Sequence, residues 1–269
     1  MNPNKALWEK GDFTRLAQTM RESGDELVES LNVQPGMDVL DLGCGDGTTA
    51  LPSAFRGANV LGVDIASNLV AAGEARAREA SLTNIRFQEG DASSLDEIAD
   101  DSFDLVVSMF GAMFAPRPFE VAREMVRVTR QGGRIVMGNW IPGDPTLIAR
   151  ILETCALYTP PPPEGFVSPI SWGVEDIVRE RFTTAGVQDA DIRCERATYI
   201  FRYTGPPVAF LDIFRSYYGP TMNAYEAAAS TGREADIHRE LTQLFEQENR
   251  GDADHTEIAA TYLKVLIDR

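Results

Sequence analysis

Cationic side chains are scarce in this chain. Lys and Arg number 25 against 41 Asp and Glu, so the formal net charge is −16. Nucleic-acid binding needs a basic face to neutralise phosphates, and anionic membrane surfaces attract the same groups, so neither partner is expected. Cysteine is also sparse: Cys44, Cys155 and Cys194 are an odd number with no CxxC pair. That excludes a disulfide framework and suits a reduced, cytoplasmic protein without a metal site. The two histidines, His238 and His255, fall in polar stretches and read as solvated surface. No apolar run approaches the roughly 20 residues of a membrane span. The polar stretch Met1–Phe13 lacks the apolar segment of a secretory signal.

Apolar content is ample, 43% of 269 residues, enough for one domain with a sizeable core plus an insertion. Within it, Val39-Leu-Asp-Leu-Gly-Cys-Gly-Asp-Gly-Thr-Thr49 stands out. A short apolar run ends at Asp41 and breaks into Gly43, Gly45 and Gly47, the pattern of a buried parallel strand turning tightly into a helix. A second apolar strand, Val60–Val63, ends at Asp64, 19 residues after Gly45. An acid at about that distance meets a ribose hydroxyl in mononucleotide-binding βαβ units. Ile85–Asp91, Phe103–Phe110 and Arg134–Trp140 read as further strands, the last set off by a Gly132-Gly133 turn. Helices are expected at Leu16–Leu31, Thr49–Phe55, Ala66–Ala80 and Phe119–Thr129. Pro52 should delay or kink the second of these.

This alternation predicts an α/β, Rossmann-like fold: a mostly parallel seven-stranded sheet with helices on both faces. Asp41, Asp64, Asp91 and Ser108 then converge at the carboxyl ends of the strands, where such sheets bind ligands. The second half is less regular, with helices at Thr146–Tyr158 and Val174–Ala185 and strands at Ile192–Tyr203 and Thr261–Asp268. Between those two strands, Gly205–Asn249 holds two expected helices with an aromatic flank. The expected division is a helical cap over 1–34, a core domain over 35–204 and 251–269, and a helical lid over 205–250.

With these motifs in place, the chain resembles the class I S-adenosylmethionine-dependent methyltransferases. The carriers are Leu40-Asp-Leu-Gly-Cys-Gly-Asp-Gly47, Gly62-Val-Asp64, Gly90-Asp-Ala92, Phe103-Asp-Leu-Val-Val-Ser108, and Arg127-Val-Thr129 with Gly132-Gly-Arg134. More narrowly it is similar to type 11 members related to the ubiquinone- and menaquinone-biosynthesis enzymes. The resemblance implies S-adenosylmethionine as cofactor and a small-molecule methyl acceptor. It implies that Gly43, Cys44 and Gly45 lay backbone against the methionine and ribose parts. Asp41 would orient that loop or meet the methionine ammonium, directly or through water, Asp64 would meet the ribose hydroxyls, Ile65 the adenine ring, and Asp91 with Ala92 the adenine edge. Ser108, Met109 and Phe110 would border the transferred methyl, with Trp8 and Phe13 closing over the cofactor.

Met113, Trp140, Trp172, Tyr217 and Tyr218 are candidates for the acceptor pocket, and the apolar run at Met109, Phe110, Met113 and Phe114 borders the same region. Quinone-type relatives carry histidine nearby; its absence here argues against a quinone-precursor acceptor. No residue stands out as a catalytic base. Two other readings remain: a cofactor-binding protein of the same fold without turnover, and an NAD-dependent oxidoreductase. The latter is weakened by Thr48, which stands where GxGxxG needs its third glycine.

Overall fold

The computed structural model describes residues 5–269, so the first four residues of the expected 1–34 cap lie outside it. The strands are Asp38–Leu42 (β1), Asn59–Asp64 (β2), Ile85–Glu89 (β3), Phe103–Met109 (β4), Thr129–Trp140 (β5), Ile192–Thr204 (β6) and His255–Asp268 (β7). They form one sheet in the order β3-β2-β1-β4-β5-β7-β6, with β7 antiparallel to both neighbours and the other pairs parallel. Seven strands in a mostly parallel sheet match the expected Rossmann-like α/β fold.

Alternate strand residues sort to opposite faces, as period-two geometry requires. Leu40, Val106 and Ile135 enter one apolar core, and Val39, Leu105, Val107 and Val136 enter the other. Before β1 come the short helices Lys5–Glu9 (α1) and Thr14–Ala17 (α2), then Arg21–Ser30 (α3). Ala50–Phe55 (α4), Ser67–Glu79 (α5) and Pro118–Val128 (α6) connect the parallel strands. Pro52 sits in the first turn of α4, where its missing N–H would be unpaired in any case, so the helix starts on time.

Several boundaries differ from the sequence reading: the expected Leu16–Leu31 helix, for one, is broken into α2, a 3-10 turn at Gln18–Met20 and α3. The Gly132-Gly133 turn is absorbed into β5 as a bulge: Phe103 pairs Thr129 but Leu105 pairs Arg134, leaving extra residues on β5. β7 begins six residues before the expected Thr261, at His255. After Leu147–Ala156 (α7) and Glu175–Thr184 (α8), the segment between β6 and β7 carries three helices, not two. These are Pro207–Tyr217 (α9), Gly219–Ser230 (α10) and Glu234–Glu248 (α11). Tyr218 is extended (φ −99°, ψ 110°) and Pro220 opens the next helix, so the aromatic run is cut at Gly219.

These three helices belong to the main core. Phe210, Phe214 and Phe245 are fully buried with ring centroids 5.2 to 5.5 Å apart, and Phe201 of β6 lies 6.0 Å from Phe214. We therefore expect Phe214→Ala to destabilise the whole chain by about 3–5 kcal/mol. Urea unfolding should show one transition moved to lower denaturant. A main transition at its wild-type midpoint would mean that the insertion folds apart from the sheet.

Candidate functional site

Strand order reverses between β1 and β4, the position where open α/β sheets bind ligands. There the chain leaves β1 as Gly43-Cys44-Gly45 and leaves β4 as Phe110-Gly111-Ala112. A cavity of about 970 Å³, its open mouth included, lies above them. The loops approach at their backbones: a Cβ on Gly111 would stand 2.3 Å from the Gly43 carbonyl oxygen and 2.7 Å from its Cα. No side chain fits at that crossing. Ser108 pins it from below, its hydroxyl donating to Leu42 O at 2.6 Å and accepting from the Ala112 amide at 3.1 Å.

Asp64 organises the first loop. Its Oδ2 accepts from the Gly45 amide at 2.8 Å and its Oδ1 from the Ala66 amide at 2.9 Å. Burial raises its pKa, and these backbone donors oppose the rise. Asp46 is almost fully buried and is held by Arg21 of α3 at 3.1 Å and Arg76 of α5 at 3.3 Å. Asp41 has no such cation. Burial, then the neighbouring charge of Asp64, push its pKa up to about 8, and its Oδ2 is buried without a hydrogen-bond partner.

The cavity brings together Trp8, Phe13, Asp41, Gly43, Cys44, Gly45, Asp64, Ile65, Ala92, Met109 and Phe110 from the sequence-derived candidates. Asp91 does not line it: its carboxylate accepts from the Ser93 amide at 2.9 Å and hydroxyl at 2.7 Å, while Gly90 and Ala92 face the space. Ser108 lies underneath, buried by the bonds given above. Burial pushes the Cys44 thiol well up, so it stays protonated.

The acceptor candidates lie outside the cavity wall. Met113 is core, Trp140 stacks behind Phe110 at 3.7 Å, and Trp172 is buried beneath the Arg181 guanidinium at 4.4 Å. Tyr217 is half-buried and away from the space, and Tyr218 touches it only through Trp8, 6.1 Å between rings. Phe114, Ala115, Met20 and Tyr199 stand there instead. Phe114 was legible as part of an apolar run. Tyr199 was not, because nothing local signals that β6 reaches this space. Neither histidine lines the cavity: His238 bonds Tyr225 at 3.0 Å and His255 bonds Asp252 at 3.1 Å.

Phe110 is a backbone outlier, with φ +62° where bulky residues are rare. Its amide donates to Gly138 O at 2.9 Å, and its ring meets Tyr199 and Tyr262 edge-on at 5.2 and 5.3 Å. Strain of about 1–3 kcal/mol is held there by the surrounding rings. Above the mouth, Trp8 packs edge-on against Phe13 at 5.6 Å and Phe114 at 4.8 Å, joining the N-terminal cap to the loop after β4.

Comparison with known proteins agrees with this geometry. A family model described as a methyltransferase domain matches residues 40–137. An uncharacterised Mycobacterium tuberculosis protein is 33% identical over 243 residues, 90% of this chain and 86% of that one. Demethylmenaquinone methyltransferase of Bacillus velezensis is 36% identical over 115 residues, 42% of this chain and 49% of that enzyme. The Haemonchus contortus phosphoethanolamine N-methyltransferase 2 structure, in complex with S-adenosyl-L-methionine, superimposes with a TM-score of 0.57 at 16% identity. It covers 92% of this chain and 53% of that one. The chain belongs to the type 11 family of class I S-adenosylmethionine-dependent methyltransferases. Its cofactor is S-adenosylmethionine. Among the described residues no helix is long and apolar enough to cross a membrane, and no cluster of His, Cys, Asp or Glu could hold a metal ion.

Asp41 generates a stability prediction. Its folded pKa lies above the unfolded value of 3.8, so its contribution is intact below that value and is lost as pH rises toward about 8. The slope is at most about 1.4 kcal/mol per pH unit. Relative to Asp41→Asn, the ligand-free wild type should therefore lose stability between pH 5 and pH 8, measured by urea unfolding. A difference independent of pH would show that Asp41 is already ionised in the folded chain.

Proposed function

We propose that this protein transfers the methyl group of S-adenosylmethionine to an uncharged small molecule with an apolar body. The observation that carries this reading is the wall of the β1–β4 cavity. Its titratable side chains include three carboxylates, Asp41, Asp46 and Asp64, and among the described residues no Lys, Arg or His. The rest is largely apolar: Trp8, Phe13, Met20, Met109, Phe110 and Phe114. A phosphate or carboxylate on the acceptor would find no Lys, Arg or His among the described residues on this wall to receive it.

When bound, the cofactor supplies a methyl on a sulfonium with a neutral thioether as leaving group. The chain's own residues then bind, orient and exclude water. The unpartnered Oδ2 of Asp41 suits the cofactor ammonium. Asp64 keeps lone pairs for ribose hydroxyls beyond the two amides it already accepts. Ile65, Leu69 and Ala92 offer an apolar wall for adenine. Trp8, Phe13 and Phe114 close the mouth, and their aromatic faces suit a cationic sulfonium. Holding both reactants aligned accounts for roughly 7–11 kcal/mol of barrier in well-oriented systems. A catalytic base is not required when the acceptor is itself a good nucleophile. The acidic surface suits a cytoplasmic protein that leaves nucleic acid and membranes alone.

Two measurements test this. Asp64→Ala should weaken S-adenosylhomocysteine binding more than tenfold by calorimetry, since it removes both the loop anchor and the ribose acceptor; wild-type affinity would remove that role. With unlabelled cofactor and an acceptor panel, neutral apolar phenols, amines or thiols should gain ~14 mass units, one CH₂ equivalent, while phosphorylated and carboxylated analogues do not. Methylation confined to the anionic members would overturn the acceptor class. Cofactor binding with no transfer to any member would instead favour a binding protein of this fold.

A further inference from the structure

A zwitterionic ligand end sets a problem for an acid-lined cavity. The amino-acid part of the cofactor carries an ammonium, which suits Asp41, and a carboxylate, which suits none of the three acids. With no cation on the wall among the described residues, that carboxylate needs neutral hydrogen-bond donors. Tyr199 answers to this description. It lines the cavity, is 1% exposed, and its hydroxyl has no hydrogen-bond partner among the described residues. A donor that no protein group engages and that opens toward a cavity points to a ligand atom there.

Its position is the right one. A Cβ built on Gly24 of α3 would stand 2.6 Å from Thr48 O and 3.1 Å from the Tyr199 hydroxyl, so that hydroxyl lies beside the end of the glycine loop. Burial, then Tyr262 and then Asp41, raise the phenol's pKa, which keeps it protonated and able to donate. β6 is the far edge strand of the sheet, yet Ser23 of α3 ties it to the cap. The Ser23 hydroxyl donates to Ile200 O at 3.1 Å and accepts from the Ile200 amide at 3.0 Å. That clamp lies next to Tyr199 and holds its ring over the loop.

We propose that Tyr199 is a cofactor-binding residue whose hydroxyl donates to the carboxylate of the methionine moiety, side by side with Asp41 and its ammonium. The inference rests on the family's cofactor and not on the identity of the acceptor. The test is calorimetric titration of wild type and Tyr199→Phe with two ligands, S-adenosylhomocysteine and 5′-methylthioadenosine, which lacks the amino-acid part. The variant should bind S-adenosylhomocysteine about tenfold or more weakly, the loss of one hydrogen bond to a charged group. Its affinity for 5′-methylthioadenosine should stay within about twofold, since nothing in that ligand meets the hydroxyl. Tyr262→Phe, which removes a hydroxyl from the neighbouring ring outside the wall, should change neither affinity. Equal loss of both ligands by Tyr199→Phe, or loss of neither, overturns the assignment. Wild-type protein that binds neither ligand would instead remove the cofactor-site reading itself.

Discussion

The site depends on one close approach, the backbone crossing of Gly43 and Gly111. Adjacent strands β1 and β4 send their chains in opposite directions at the switch in strand order, and the space between the departing loops becomes the cavity. The crossing works only because neither residue carries a Cβ there. Everything that faces the ligand is aimed from it. Asp64 draws the Gly45 amide toward β2, Ser108 clamps the end of β1 to the turn after β4, and Phe110 is thrown into its left-handed conformation by the start of that turn.

Charge is distributed around this crossing in two tiers. Asp46 is neutralised by arginines of α3 and α5, so it binds the N-terminal cap and a surface helix to the loop. Asp41 and Asp64 have no such partners and leave the cavity acidic. The cap itself is held by lighter ties. Lys5 pairs with Glu89, Glu9 accepts from the Ser67 amide and hydroxyl, and Lys10 bonds Asn223 and Glu226, all at the exposed surface. Exposed pairs of this kind are weak and screened by salt. The base of the cap is thus anchored by arginines on a buried carboxylate, while α1 is held by exposed pairs and by the packing of Trp8.

Much of this was legible in the sequence because it is local. An apolar run ending in an acid and glycines declares a strand and a tight loop within ten residues, so the pattern alone brings Asp41, Gly43, Gly45 and Asp64 to one sheet edge. The misreadings arose where the outcome depends on distant packing. Gly132-Gly133 has the composition of a turn, yet Thr129 and Arg134 on either side pair with β4, and the glycines' own backbone bonds reach Arg269, which keeps them in the sheet as a bulge. The aromatic residues chosen for an acceptor pocket were chosen by type, and Trp140 and Trp172 are instead spent on core stacking. Tyr199 sits in a strand whose alternation looks ordinary. Its placement follows from the curl of β6 toward α3 and from the Ser23 clamp, which link residues 177 apart in sequence. Short-range patterns carry no trace of such a pairing.

The same residues that equip the site also load the empty protein with unfavourable terms. Asp41 is buried beside a second carboxylate, and Phe110 keeps a backbone angle that its side chain disfavours. Each is a local violation of the rules that otherwise make the sheet and its two cores consistent, and such violations cluster at functional sites. An ammonium at Asp41 relieves the first, because an opposite charge restores the ionised carboxylate that burial and Asp64 oppose. A ligand cation at Asp41 therefore relieves a cost that the empty fold carries, and a ligand that binds only the folded chain stabilises it by about 2.7 kcal/mol at a hundredfold excess over Kd. Binding and folding are in this way linked: the carboxylate that makes the empty cavity costly is the one that a ligand cation satisfies.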